Sequence, residues 1–250
     1  MARESCNNHP GSSVSSIANG LSMTDNSPSY LHHRQRLKSK FTDSGINALH
    51  DYEIIELLLS YAIPRKDVKP LAKNLIKSFG SIRKLLDAEV HEIENIKGMG
   101  NHAAVLIKLV RDSGSIYLRE KATEKPQITC TAELINYYKH AMGGLQDEHF
   151  QVIYLNARNK IIEMETIHKG IVNQAVVYPR KILEQALKKK ASAIILVHNH
   201  PSGHVQPSDA DIHLTKMVQE TAKTLDIIVH DHIIIGENRF YSFREEGIIR

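Results

Sequence analysis

The 250-residue sequence predicts an all-helical first half followed by an α/β second half. Three observations carry that expectation. From Asp51 onward, apolar residues recur at helical spacing. The stretch "REKATEKPQI", residues 119–128, then interrupts the pattern with charges, Thr and Pro126, as a linker does. Beyond it, β-branched runs alternate with amphipathic stretches, and helices packed on a sheet follow from that alternation.

The elements follow in order. Residues 1–30 are rich in Ser, Asn, Gly and Pro, with almost no apolar periodicity, and read as a disordered tail. "LHHRQRLKSKF" starts the first helix. In "DYEIIELLLSYAI" the spacing places Ile54, Leu57, Leu58 and Tyr61 on one face, and Pro64 ends the helix. "VKPLAKNLIKSFG" is a second helix stopped by Gly80. "SIRKLLDAEVHEIENIKGMGNHAAVLIKLVRDSGSIYL" gives a short helix, a hairpin and a long helix. The helical domain therefore spans 31–122 and the second domain 127–250.

In the second domain "FQVIYLNARNKIIEMETIHKGIV" reads as strand, turn, strand, with Asn-Ala-Arg-Asn as the turn. "YPRKILEQALKKKA" is an amphipathic helix. "AIILVHNH" is a continuous β-branched run, hence a buried central strand. "SDADIHLTKMVQETAKTL" is another helix, followed by the strands "DIIVHDHIII" and "RFYSF". No internal repeat is visible.

Composition bounds the function. At 42% hydrophobic and 24% charged, the chain has ordinary globular character. Cys6 and Cys130 are its two cysteines, too few for a disulfide framework or a Cys-based zinc site, so a reducing cytoplasm is the expected compartment. "MARESCNNHPGSSVSS" lacks the apolar core of a signal peptide, and the longest aliphatic run, Ala193 to Val197, is too short to cross a bilayer. Residues 31–125 hold 17 Lys/Arg against 12 Asp/Glu, whereas residues 126–250 hold 14 of each. The basic excess thus lies in the helical half, which permits an acidic partner without demanding one.

The chemistry concentrates in "HNHPSGHVQPSDAD", His198 to Asp211. Residues i and i+2 of a strand point to one side, so His198 and His200 project together as the chain leaves the buried strand. Pro201-Ser202-Gly203 turns the chain, Pro207-Ser208 starts the next helix, and Asp211 on its first turn faces back to the two imidazoles. Two His nitrogens and a carboxylate oxygen form a three-ligand set that leaves a fourth tetrahedral position open to water. A second reading uses the same residues: Ser208-x-x-Asp211 is close to a helix capping box, and His198 is then a satisfied core histidine. Other metal and nuclease classes do not fit. His198-Asn199-His200 lacks the long ββα unit of an HNH nuclease, no P-C-x-x-C of a zinc deaminase is near, and the zincin H-E-x-x-H is absent.

His198-x-His200, seven residues, Ser208, two residues, Asp211 resembles the JAMM (MPN+) metalloprotease motif. "HNHPSG", "DHIIIG" and "SFREEG" together are similar to the RadC-like family of bacterial proteins, over about residues 31–250. The resemblance implies an MPN/JAB-like, cytidine-deaminase-like α-β-α sheet domain holding one zinc ion per chain. It implies His198, His200 and Asp211 as ligands, Ser208 as oxyanion support and an upstream glutamate as general base. Alignment to the family favours Glu165, in "IIEMETIHKG", as that base, although Glu163 faces the same way on an extended strand. One departure is Lys181, where the family carries an acid after Tyr-Pro-Arg. His232, in "DHIII", is read as structural, with a supporting role to the metal as the alternative.

In the helical half "IENIKGMGNHAAVLI" resembles a helix-hairpin-helix, with Gly98-x-Gly100 at the turn and Lys97 beside it. Free amides at the start of its second helix can hold a phosphate oxygen, and a plain tight turn between helices is the alternative. Arg65, Lys66, Lys69, Lys73 and Lys77 either extend such a face or are solvated surface. The expected function is zinc-dependent hydrolysis of a peptide or isopeptide bond in a protein substrate. The rival is a DNA-binding accessory protein of repair or recombination, whose metal site is structural or vestigial.

Overall fold

The periodicity of the first half folds as six helices. The computed structural model describes residues 29–123, 132–170 and 178–249. Its helices there are α1 (Ser29–Ser44), α2 (Asp51–Ala62), α3 (Lys69–Phe79), α4 (Ile82–Asp87), α5 (Val90–Glu94) and α6 (Asn101–Thr123). The expected tail, residues 1–30, lies outside the described residues except for Ser29 and Tyr30, which open α1. Ile55, Leu59, Leu75, Leu85, Ile93 and Ile107 form a fully buried core, each stabilising the fold by about 1.5–3 kcal/mol relative to an exposed position.

The buried face of α2 differs from the expected one. Ile55 and Leu59 enter the core, Ile54 and Leu57 turn to Leu37 of α1 and to Leu49, and Tyr61 is 64% exposed. The helix has partners on two sides, so its apolar residues divide between two faces. Tyr61 instead carries the Lys38 ammonium over its ring, 4.9 Å from the centroid.

Gly80 ends α3 in the left-handed region at φ 82°, as its position predicts. Helix α6 runs through Thr123, so the start of the expected linker is helical, and residues 124–131 lie outside the described part. A helix without a counterpart in the sequence-based expectation, α7 (Ala132–Met142), comes next and buries Leu134, Tyr138 and Met142.

The second half holds strands β1 (His149–Leu155), β2 (Ile161–Lys169), β3 (Ala193–Asn199), β4 (Ile228–Ile235) and β5 (Phe240–Ser242), with helices α8 (Pro179–Lys188) and α9 (Asp209–Lys223). Their order in one mixed sheet is β2-β1-β3-β4-β5. Only β3 and β4 run parallel, joined by α9 as a crossover. Strand β3 is central and buried at all seven positions because both its faces are covered. Ile194 and Leu196 pack with Ile182 and Ala186 of α8 and Val218 of α9. Ala193, Ile195 and Val197 pack with α7 on the other face. An α/β domain with a helical domain before it is therefore the fold, and no helix among the described residues is long and apolar enough to cross a membrane.

Candidate metal centre

Strand parity fixes where the first ligand points. His198 shares the face of Ile194 and Leu196, is fully buried, and stacks on Phe150 at 5.7 Å between ring centroids. His200 lies one residue past β3, yet its amide donates to the Ile235 carbonyl at 2.9 Å. That bond extends the pairing and keeps the second imidazole beside the first. The two Nε2 atoms are 3.0 Å apart.

Asp211 arrives from the start of α9. The Ser208 amide and hydroxyl both donate to its Oδ2, at 2.8 and 2.6 Å, while the Ser208 oxygen accepts from the Asp211 amide at 3.2 Å. This is a reciprocal capping box, and it aims the carboxylate at the histidines. His198 Nε2 lies 3.3 Å from Asp211 Oδ1, and His200 Nε2 lies 3.6 Å from Oδ2. The capping and ligand readings of this stretch are thus compatible, since one geometry performs both.

These three residues form a group that could hold a metal ion. With zinc–ligand bonds of about 2.0–2.1 Å the edges of a tetrahedron measure about 3.3–3.4 Å; here the two Nε2 atoms are 3.0 Å apart, and they reach different oxygens of the carboxylate, His198 the Oδ1 at 3.3 Å and His200 the Oδ2 at 3.6 Å. The donor chemistry fits as well. His200 Nδ1 is 2.7 Å from the His204 carbonyl. A carbonyl only accepts, so Nδ1 carries a proton; in the neutral ring Nε2 is then the lone pair that would face a metal, and a proton on Nε2 instead donates to Asp211. Two such nitrogens and a carboxylate converge without repulsion only around a proton or a metal ion.

The electrostatics agree. Burial pulls His198 down to about 4, with Asp211 opposing, so its ring is neutral as a ligand must be. Burial lowers His200 too, but the hydrogen bond with Asp211 and the His204 carbonyl outweigh it and leave the group raised. Burial pushes Asp211 up, yet His200, His198 and Ser208 together hold it well below the usual carboxylate range.

Glu165 does not join this group. On β2 it stands opposite Val152, two rows from the row that holds Phe150 and His198. Its carboxylate pairs with the Lys189 ammonium at 3.1 Å, and Glu163 pairs with the same ammonium at 3.2 Å. The acid that interacts electrostatically with the triad is Glu148, two residues before Phe150 and so on the side of His198. Burial pushes Glu148 up to about 7; His200 opposes the shift and Asp211 adds to it.

Asn199, the buried residue between the two histidines, anchors the segment that carries Glu148. Its Oδ1 accepts from the His149 amide at 2.8 Å, and its Nδ2 donates to the Asp147 carbonyl at 3.0 Å. Both neighbours of Glu148 are thereby pinned to the end of β3.

Two family models match this chain. Residues 128–248 match the RadC-like JAB domain, and residues 29–105 match the UPF0758 N-terminal domain. The UPF0758 protein SPO0054 of Ruegeria pomeroyi is 39% identical over 223 residues, which is 89% of this chain and all of that protein. The chain belongs to the UPF0758 family.

Within this UPF0758 chain Lys181, the departure from the family pattern, donates to the Ile167 carbonyl at 3.2 Å, a contact that a carboxylate cannot make. In the helical half Gly98 adopts φ +97° at the exposed hairpin, with Lys97 exposed beside it. Gly100 has no positive φ and nothing within 4 Å of a built Cβ, so only Gly98 requires glycine. Sequence reasoning missed Glu148 and Asn199. The available signal for Glu148 was its even spacing from Phe150, which is informative only once β1 is registered against β3.

Proposed function

We propose that this UPF0758 chain is a zinc-dependent hydrolase of metallopeptidase or isopeptidase type. The supporting observation is the convergence of one ligand atom from each of His198, His200 and Asp211 within 4.8 Å of one another. These three would hold one zinc ion. When bound, zinc supplies Lewis acidity, which polarises a substrate carbonyl and acidifies water.

Glu148 is the general base in this reading. Its carboxylate takes a proton from the attacking water and returns it to the leaving amine as the C–N bond breaks. A group near pH 7 serves both halves of that transfer. Ser208, exposed at the rim of the triad, orients Asp211, and its hydroxyl would reach a developing oxyanion by turning its one proton away from Asp211 Oδ2. The substrate class is the amide of a peptide or of a lysine isopeptide.

The test is elemental analysis with reconstitution, beside a screen of fluorogenic peptide and isopeptide amides. Wild type is expected to hold about one zinc per chain, lost in His200→Ala and Asp211→Ala, with chelator-sensitive turnover that zinc restores. A wild-type chain that takes up no zinc overturns the reading.

The second reading, DNA binding by the helical half, rests on the exposed Gly98 hairpin and its Lys97. It predicts a shift of labelled duplex whose affinity falls steeply with salt. Absence of binding at low salt rejects it.

A further inference from the structure

Two buried groups behind the ligands, His232 and Thr215, link His198 to Asp211 in a chain of hydrogen bonds. His198 Nδ1 meets His232 Nε2 at 2.9 Å. His232 Nδ1 meets the Thr215 hydroxyl at 2.7 Å, and that hydroxyl lies 2.6 Å from the backbone carbonyl of Asp211. His198, His232 and Thr215 all have zero exposure.

The direction of each bond follows from proton counting. The Asp211 carbonyl can only accept, so the single hydroxyl proton of Thr215 goes to it. The Thr215 oxygen must then accept from His232 Nδ1–H. With its proton on Nδ1, neutral His232 offers Nε2 as an acceptor, and His198 must donate from Nδ1–H. That leaves His198 Nε2 as a bare lone pair, aimed at His200 and Asp211. The opposite polarity would put a proton on His198 Nε2 and close the site to any cation.

From this geometry we infer that His232 and Thr215 are positioning residues for the metal: they fix the tautomer of His198 and tie the ligand on β3 to the ligand on α9. The chain starts at one ligand residue, Asp211, and ends at another, His198, so it sets both the protonation and the relative placement of the two. Rings stacked on Phe243, at 4.7 Å from His232, and on Phe150 hold the imidazoles in plane. Asp231 fixes the backbone beneath, accepting from the His232 amide at 2.7 Å and from the Ser242 hydroxyl at 2.6 Å. This inference rests on the metal-site reading above.

The experiment compares Thr215→Val, which keeps the shape and removes the hydroxyl, with Thr215→Ser, which restores it, and adds His232→Leu. Zinc affinity is measured by competition with a chelator. The His198 tautomer is read in the metal-free full-length chain from long-range nitrogen–proton NMR correlations. Thr215→Val and His232→Leu are expected to bind zinc 10- to 100-fold more weakly. Thr215→Ser should stay within about threefold of wild type, and His198 should change from the Nδ1–H to the Nε2–H form in Thr215→Val.

Equal affinities for Thr215→Val and wild type overturn the inference. So does a loss in Thr215→Ser as large as that in Thr215→Val, since packing rather than the hydrogen bond would then explain it. Absence of zinc uptake by wild type overturns the metal reading instead, while the tautomer in the metal-free chain still decides the relay. An Nε2–H His198 in wild type rejects it.

Discussion

Desolvation of Glu148 has two measurable consequences. It suits the residue to the proposed role of base by holding a proton near neutrality, and it makes the ionised form a cost to the fold. Burial raises the Glu148 carboxyl from 4.5 to about 7. Between those values the folded chain keeps a proton that the unfolded chain has released. Stability is therefore present below pH 4.5 and is lost as pH rises through about 7. Glu148→Gln cannot ionise, so in the metal-free chain it should be the more stable protein at pH 8 by on the order of 1 kcal/mol. It should match wild type at pH 4.5 and below. Thermal melts at both pH values decide this, and an equal wild-type deficit at both would discard it. The same variant should bind zinc normally and lose turnover by about 100-fold or more. Glu165→Gln should retain most of the activity, because its carboxylate serves the pair with Lys189. If Glu165→Gln is inactive while Glu148→Gln is not, the base has been assigned to the wrong strand.

The start of α9 joins helix stability to metal binding. Its capping residue, Ser208, satisfies the Asp211 amide and also donates to Asp211 Oδ2, so Ser208→Ala removes a cap and a ligand's support together. Losing the cap costs about 1 kcal/mol, a fall of roughly 2–4 °C in Tm for a chain of this size, and zinc affinity should weaken with it. A drop in Tm with unchanged zinc affinity would confine Ser208 to capping. This element was legible in the sequence because capping signals are local, and so was the grouping of His198, His200 and Asp211, which follows from period two on β3 and one turn of helix. The proposed base, Glu148, was not legible. Its position depends on which residue of β1 stands opposite His198, a long-range register that no local pattern encodes. The face of α2 misled for a related reason: a helix with two neighbours has two apolar faces, and a single stripe describes one of them.

Across the whole molecule, the two halves are joined by specific contacts that lie away from the metal centre. Arg111 of α6 reaches Asp87 of α4 at 3.4 Å and donates to the carbonyls of His140 and Ala141, at 3.2 and 3.3 Å, where α7 ends. Gly144 lets Asp87 approach so closely that a Cβ there would stand 2.3 Å from its Oδ2. Beside this joint a cavity of about 880 Å³ opens between the halves, lined by Arg83, Lys108, Asp147 and His149 among others, and it reaches Pro201, Ser202 and Gly203 in the turn that follows His200. Arg111→Ala leaves two carbonyls at the end of α7 without their donor, at a cost of about 1–3 kcal/mol, and uncouples the halves without touching the ligands. Calorimetry should show Tm lowered by roughly 2–10 °C, or one transition split into two, while zinc stays at one per chain. If Arg111→Ala instead loses zinc, the helical half is required to form the metal centre, and the two halves do not fold independently.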